Sequence, residues 1–305
     1  MTGSKNKIQK LSGIFPPMLT PFKENGDVDY DAFVRNIERW NEAGLSGYLV
    51  LGSNSETPYL TEEEKLTLIE LTVQEAANER TVLAGTGLES TRATIGLTNK
   101  AAKRGVAAAL VLTPSFYTGQ MTDEVLIRHF TTVADQADIP ILIYNVPKFT
   151  HYNISPNAVK ILSRHPGIIG MKDSAGDIAQ LEAFKRVVPD TFNLLVGSAS
   201  VLHPALNLGI RAGILALANC APEACVTIQE LHDTGKHQEA WELQAKMIPV
   251  NKAITETFGI AGLKHACSLL GYEGGHVRSP LVPMNDERKT ELREILSIAG
   301  LNIGR

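Results

Sequence analysis

The sequence is poor in cysteine, has no long apolar run and carries no strong excess of one charge. Its three cysteines, Cys220, Cys225 and Cys267, are odd in number and lack metal-type spacing with histidine, so we expect reduced cysteines in a cytoplasmic protein and not a disulfide framework. No apolar run approaches the roughly 20 residues that span a bilayer. The net charge of -4 provides no basic surface for nucleic acid or for an anionic membrane.

Several motifs of common enzyme sites are also missing. The eight histidines are scattered without the pairing of a metal site, so no bound metal is expected, and the Gly-x-Ser-x-Gly elbow of serine hydrolases does not occur. Residues 1–12 lack the apolar segment of a secretory signal and are expected to form a tail. With 44% hydrophobic and 20% charged residues, the 305-residue chain is expected to be globular with a sizeable core.

What the sequence does contain is a series of short apolar stretches rich in Val, Ile and Leu. They do not alternate between apolar and polar residues, which is typical of parallel strands covered on both faces. Helix-start signals lie between them: a capping box at 61–64, serine followed by proline at 155–156, and N-caps expected at Asp29, Thr91 and Thr122. The stretches are residues 14–20, 47–51, 82–84, 107–112, 139–144, 168–171, 194–196 and 213–217.

This alternation predicts a (β/α)8 TIM barrel over residues 13–220. An open doubly wound sheet is the alternative, but the turn at 21–24 is not the glycine-rich phosphate loop that such a sheet needs. From 221 to 305 the pattern is helical, with a kink expected at Pro249. We interpret this part as a C-terminal helical extension packed on the barrel, serving either as a lid or in oligomer contacts. Its predicted helices are residues 221–235, 237–258, 260–270 and 286–299.

Candidate catalytic residues follow from the rule that active sites of such barrels lie at the C-terminal ends of the strands. Lys172 ends an apolar strand, where burial would lower its pKa and leave the neutral amine that attacks carbonyls. The alternatives are a lysine that reaches solvent or pairs with Asp173. Tyr144 ends the preceding strand and could transfer protons. Ser53 and Asn54 follow an earlier strand and could hold a carboxylate.

Three motifs in combination resemble the dihydrodipicolinate synthase and N-acetylneuraminate lyase family of pyruvate-dependent class I aldolases. They are Gly-Ser-Asn-Ser-Glu at 52–56, Tyr-Asn-Val-Pro at 144–147 and Gly-Met-Lys-Asp-Ser at 170–174. The resemblance implies that Lys172 forms an imine with pyruvate and that Tyr144 relays protons. It also implies a homotetramer without metal or organic cofactor, in which Tyr117 of a partner subunit completes the relay.

In the same family, Ser53 and Asn54 take the positions that bind the pyruvate carboxylate. The distal polar end of the substrate is expected to bind Lys148, or backbone donors near Gly197 and Ser198. Synthases that make dihydrodipicolinate carry an arginine where this chain has Phe149.

A glycine expected near His151 is also missing, and residues 52–54, 83–91 and 215–219 more closely resemble 4-hydroxy-2-oxoglutarate aldolases. The preferred prediction is therefore cleavage of a 4-hydroxy-2-oxo acid into pyruvate and an aldehyde such as glyoxylate. The alternatives are dihydrodipicolinate synthase (4-hydroxy-tetrahydrodipicolinate synthase), a 2-keto-3-deoxy sugar-acid aldolase or dehydratase, and a deaminase of a hydroxyproline-derived imine. A non-catalytic sensor of 2-oxo acids is the alternative from a different class.

Overall fold

Eight parallel strands form one sheet in the computed structural model, which describes residues 10–303. Each strand overlaps one of the predicted apolar stretches, because a run of Val, Ile and Leu suits a strand covered on both faces, although β1 and β8 are shorter than predicted. The strands are β1 Gly13–Phe15, β2 Gly47–Val50, β3 Thr81–Gly85, β4 Ala108–Leu112, β5 Ile141–Asn145, β6 Ile168–Asp173, β7 Asn193–Val196 and β8 Ala212–Ile214.

The sheet closes on itself through the residues that follow β1. Strand β1 pairs with β8, and the order then runs back through the sheet to β2. The Leu49 N–H donates to the Pro16 carbonyl at 3.0 Å, and the Met18 N–H donates to the Leu49 carbonyl at 2.9 Å. These bonds join the continuation of β1 to β2 and complete the ring. The predicted (β/α)8 barrel is confirmed, and the open doubly wound alternative is wrong.

Helices connect the strands and begin at the residue types expected for N-caps. The Thr61 side chain accepts from the Glu64 N–H while the Glu64 carboxylate accepts from the Thr61 N–H, so the predicted capping box is present. The prediction for Thr91 is wrong, because Ser90 caps that helix and Thr91 is its first residue. The helices of the barrel are α1 Tyr30–Asn41, α2 Glu62–Glu75, α3 Thr91–Ala102, α4 Asp123–Gln136, α5 Pro147–Thr150, α6 Pro156–Leu162, α7 Ile178–Val187 and α8 Leu202–Asn207.

Two hydrophobic clusters stabilise the barrel. A larger one lies between the strands and the helices, and a smaller one fills the inside with residues such as Phe15, Leu49, Leu142 and Leu195. Each fully buried side chain of this size contributes roughly 1.5–3 kcal/mol to folding. Because side chains alternate along a strand, Tyr144 points inward like Leu142. The barrel interior is therefore a packed core that ends in polar side chains at its C-terminal mouth.

After β8 the chain is helical, as predicted. The expected helix over 237–258 is an α-helix that contains Pro249, followed by the π-helical segment Ala253–Thr257. The helices of this extension are α9 Pro222–Asp233, α10 His237–Lys252, α11 Gly259–Leu269 and α12 Asp286–Ile298. Between residues 10 and 303, no helix is long and apolar enough to cross a membrane. Cys220, Cys225 and Cys267 are buried and free.

Candidate active site

A cavity of about 420 Å³ opens at the C-terminal mouth of the barrel. It brings together residues from the ends of β2, β5, β6 and β7, which are far apart in sequence but meet because all eight strands run in the same direction. Of the eight site residues predicted from the sequence, seven line this cavity, namely Ser53, Asn54, Tyr144, Lys148, Lys172, Gly197 and Ser198.

Lys172 lies near the end of β6 with its side chain inside the barrel, where it is 3% exposed. Burial lowers the pKa of Lys172, and the neighbouring Tyr144 hydroxyl, which acts in the opposite direction, does not cancel this effect. Within residues 10–303, no carboxylate lies close enough to form a salt bridge with its ammonium group. The amine is thus desolvated and poised to lose its proton.

Asp173, the alternative partner of Lys172, points to the opposite face of the strand. Its Oδ1 accepts from Asn145 Nδ2 at 2.6 Å and from Gln180 Nε2 at 2.9 Å. Burial raises the pKa of the Asp173 carboxyl. This arrangement follows from the pleat, which directs consecutive side chains of a strand away from each other. The predicted alternatives of a solvated Lys172 and a Lys172–Asp173 pair are both wrong.

Tyr144 is the direct neighbour of Lys172 across the sheet. The two residues are paired in the register of β5 and β6, and Lys172 Nζ lies 4.4 Å from the centroid of the Tyr144 ring. Tyr144 is 6% exposed and lines the same cavity. The adjacency predicted from the strand ends is therefore present, and it places a phenol beside the amine.

The residues after β2 form a tight 3-10 turn, Ser53–Ser55, at the edge of the cavity. The Ser55 hydroxyl donates to the Met18 carbonyl at 2.6 Å and anchors the turn to the barrel. Asn54 is 8% exposed, and among the described residues its Nδ2 has no hydrogen-bond acceptor. A buried amide donor without a partner is costly unless a ligand satisfies it, so Asn54 is suited to bind a carboxylate.

The opposite side of the cavity is formed by the residues after β5. Lys148 Nζ donates to the carbonyl of Thr255, and Phe149 lies beside it. His151 has φ 61° and ψ 17°, the left-handed conformation that glycine adopts without strain. The backbone therefore turns where the family's glycine is expected, although a histidine occupies the position.

Tyr117 lies outside this cavity, on the loop after β4, and is 65% exposed beside the 76% exposed Phe116. Glu89 holds the loop by accepting from the N–H groups of Ser115 and Phe116 at 3.0 and 2.9 Å. The predicted site residue is thus displayed at the surface on an anchored loop. Within its own chain it does not meet Lys172.

The C-terminal extension forms one wall of the cavity, which the sequence analysis did not assign. Asn251, Ile254 and Thr255 lie in or next to the π-helical segment and line the cavity together with Ile260. The only sequence signal was a proline inside a helical stretch, and that signal does not state which face the segment presents. A π-helical turn widens a helix and occurs often at functional sites.

A desolvated lysine and a neighbouring phenol at the mouth of a (β/α)8 barrel are the groups that a class I aldolase, a lyase acting through a Schiff base, requires. The chain belongs to the Dihydrodipicolinate synthetase family, whose sequence profile matches residues 10–299. This confirms the family resemblance of the three motifs.

The similarity extends over nearly the whole length of individual relatives. A 4-hydroxy-tetrahydrodipicolinate synthase of Methanothrix thermoacetophila is 35% identical over 93% of this chain and 96% of its own length. The crystal structure of a dihydrodipicolinate synthase from Bacillus anthracis has a TM-score of 0.91 at 26% identity and covers 98% of this chain and 100% of its own. A dihydrodipicolinic acid synthase family protein of E. coli K12, solved in complex with pyruvate, has a TM-score of 0.90 at 28% identity, covering 96% and 99%.

The sequence analysis preferred a 4-hydroxy-2-oxoglutarate aldolase and gave the synthase as an alternative. The names of the relatives support this alternative better than the preferred activity. Both activities are lyase reactions of the same family, so the shared class of chemistry does not depend on the choice.

Proposed function

We propose that this chain joins or separates pyruvate and an aldehyde through an imine on Lys172. The observation that supports this most directly is the buried amine of Lys172 with its lowered pKa, next to the Tyr144 phenol. A neutral amine is the nucleophile that carbonyl condensation requires. The relative from E. coli K12, which was solved with pyruvate, supports the same 2-oxo acid here.

Each group of the cavity has a role in this proposal. The Lys172 amine attacks the keto carbon of pyruvate, and Tyr144 donates a proton as the hydroxyl leaves as water, which gives the iminium ion. The Ser53 hydroxyl and the Asn54 amide hold the carboxylate. The Tyr144 phenolate takes a methyl proton, which forms an enamine. The enamine carbon bonds to the aldehyde carbon while Tyr144 returns the proton to the aldehyde oxygen, and water then hydrolyses the product iminium. In the cleavage direction the iminium nitrogen accepts the electron pair of the breaking C–C bond.

The aldehyde partner is the open part of the proposal, and two candidates have support. The relatives favour condensation with aspartate semialdehyde, which is the synthase reaction. Phe149 weighs against the synthase reaction, because a phenyl ring cannot replace the guanidinium with which the synthases bind the second carboxylate. The residues at 52–54, 83–91 and 215–219 favour a 4-hydroxy-2-oxo acid such as 4-hydroxy-2-oxoglutarate. Lys148, whose Nζ reaches the cavity wall, is the cation available for a distal carboxylate in either case.

A substrate panel combined with Phe149→Arg separates the two candidates. From the side chain at 149, we expect the wild type to cleave 4-hydroxy-2-oxoglutarate with a higher kcat/KM than it condenses pyruvate with aspartate semialdehyde. Phe149→Arg should raise the condensation by about tenfold or more, since a hydrogen bond to a charged group is worth about 1.5–3 kcal/mol. Ile298→Arg, at an exposed site of α12 outside the cavity, is the control. A wild type that prefers aspartate semialdehyde would establish the synthase instead.

We also propose that the chain acts as a homotetramer in the cytoplasm and that Tyr117 of one subunit completes the proton relay of another. The exposure of Tyr117 and the anchoring of its loop by Glu89 support a role across an interface. Tyr117→Phe should lower kcat by about tenfold or more without changing the sedimentation coefficient, whereas Phe116→Leu should retain kcat. A fully active monomer, or a Tyr117→Phe variant with wild-type kcat, would contradict this arrangement.

A further inference from the structure

A buried ion pair lies directly behind the turn that carries Ser53 and Asn54. Glu56, the residue that follows the turn, has a side chain only 1% exposed, and Lys264 of α11 has a side chain 2% exposed. The Lys264 Nζ and Glu56 Oε1 atoms are 2.5 Å apart. The pair joins the loop after β2 to the C-terminal extension, more than two hundred residues further along the chain.

Each charge of the pair has additional partners that offset its removal from water. Glu56 Oε2 accepts from the backbone N–H of Arg278 at 2.9 Å. Lys264 Nζ donates to the His276 carbonyl and lies 4.4 Å from the centroid of the Phe22 ring. Buried ion pairs add little stability in comparison with apolar residues of the same volume, because desolvation costs nearly as much as the attraction returns. Stability alone therefore does not account for this pair.

The turn itself is strained at both ends. Leu51, which precedes it, has φ 60°, and Glu56, which closes it, has φ 55°. Left-handed conformations of residues other than glycine cost about 1–3 kcal/mol each and persist only when the surroundings enforce them. The Glu56 N–H donates to the Ser53 carbonyl at 3.2 Å, so a displacement of Glu56 displaces the turn. The contacts that hold Glu56 in place therefore also hold Ser53 and Asn54 in place.

We propose that Lys264 is a positioning residue for pyruvate binding: through Glu56 it holds the turn so that Ser53 and Asn54 face the carboxylate. This inference rests on the proposed function, since it concerns the same pyruvate site. It gives the C-terminal extension a specific task, because α11 supplies the anchor although Lys264 does not line the cavity of Lys172.

The titration of Lys264 provides a second consequence. Burial lowers the pKa of Lys264 to about 8, even though Glu56 raises it; Cys267 also raises it and Arg278 lowers it. Above this pH the lysine becomes neutral, and Glu56 loses the opposite charge that compensates its burial. Affinity for pyruvate should accordingly fall as the pH rises through 8. A variant without the pair should lack that dependence.

The test compares Lys264→Met, Glu56→Gln and the double variant in borohydride trapping with pyruvate. The half-saturating pyruvate concentration should rise about tenfold in Lys264→Met, equivalent to 1.4 kcal/mol, with the trapping rate at saturation nearly unchanged. The double variant should show a smaller rise, because it leaves no unpaired buried charge. Lys100→Met removes an exposed ion pair with Glu62 and is the matched control.

Thermal unfolding and the pH profile distinguish positioning from a purely structural role. A folded Lys264→Met with wild-type half-saturation would overturn the inference. If Lys264→Met does not fold, the double variant decides, and a wild-type half-saturation in it would likewise refute the proposal. If the wild type forms the adduct and these variants leave its half-saturating pyruvate concentration unchanged, only this inference is contradicted. No adduct in the wild type contradicts the proposed function and this inference together.

Discussion

Replacement of Lys172 by methionine is expected to abolish the pyruvate adduct that borohydride traps in the wild type. Catalytic activity should fall by about 10³-fold or more, because the residue is the proposed covalent nucleophile. Methionine preserves most of the side-chain volume inside the barrel, so the loss of adduct and activity is due to the missing amine and not to a cavity in the core. Intact mass and peptide mapping measure the adduct, and kcat/KM for the preferred substrate measures the catalysis.

The same variant should be more stable than the wild type. Burial lowers the pKa of Lys172, so between the lowered pKa and its ordinary pKa the unfolded chain binds a proton that the folded chain does not. This difference destabilises the wild-type fold increasingly as the pH falls toward the lowered pKa. Lys172→Met removes it, and the gain in Tm should be larger at pH 6 than at pH 9.

Lys148→Met is the matched control for this prediction, because Lys148 is a second lysine of the same cavity but lies on its exposed side. It should retain the adduct that Lys172→Met loses. An adduct that survives Lys172→Met, or that maps to Lys148, would show that the nucleophile has been assigned to the wrong residue.

Tyr144→Phe should reduce kcat by about 10²–10⁴-fold while leaving the half-saturating pyruvate concentration close to the wild-type value. Phenylalanine keeps the ring whose centroid lies 4.4 Å from Lys172 Nζ and removes only the hydroxyl. The packing around the amine is retained, and the proton donor is lost. The pyruvate adduct should still form, but more slowly, which single-turnover trapping measures.

Tyr48→Phe provides the comparison, since the Tyr48 hydroxyl donates to Asn41 Oδ1 at 2.7 Å on the outer side of the barrel. Its loss should lower the free energy of unfolding by about 1 kcal/mol without changing kcat. If the two variants have similar kcat values, Tyr144 is not the proton donor of this site.

The strands and the pairing of the two proposed catalytic residues could be predicted because their causes are local. Apolar stretches without alternation indicate buried parallel strands, and consecutive strands of such a barrel are neighbours. Tyr144 and Lys172 end two consecutive strands, so their adjacency followed from the sequence once the fold was recognised. The helix caps were predictable for the same reason, and Thr91 failed only because two adjacent hydroxyl residues compete to cap one helix.

Features that depend on packing between distant segments were not predictable in this way. Lys264 lies in the largely apolar helix α11, where the sequence pattern alone cannot distinguish a lysine that reaches solvent from a buried one. Glu56 was recognised as part of a motif, but its ion pair depends on how α11 docks. The sequence also left open whether the extension was a lid or an oligomer contact, whereas its π-helical segment forms a wall of the cavity.

The sequence by itself determined the barrel, the family and which amine and phenol to propose for catalysis, because strand patterning and motif order can be recognised along the chain. Only the tertiary structure decided that Lys172 is desolvated, that Asp173 points away from it and that α11 anchors the Ser53–Asn54 turn. Desolvation and anchoring depend on how helices and strands pack against each other, and this packing brings together residues that are far apart along the chain.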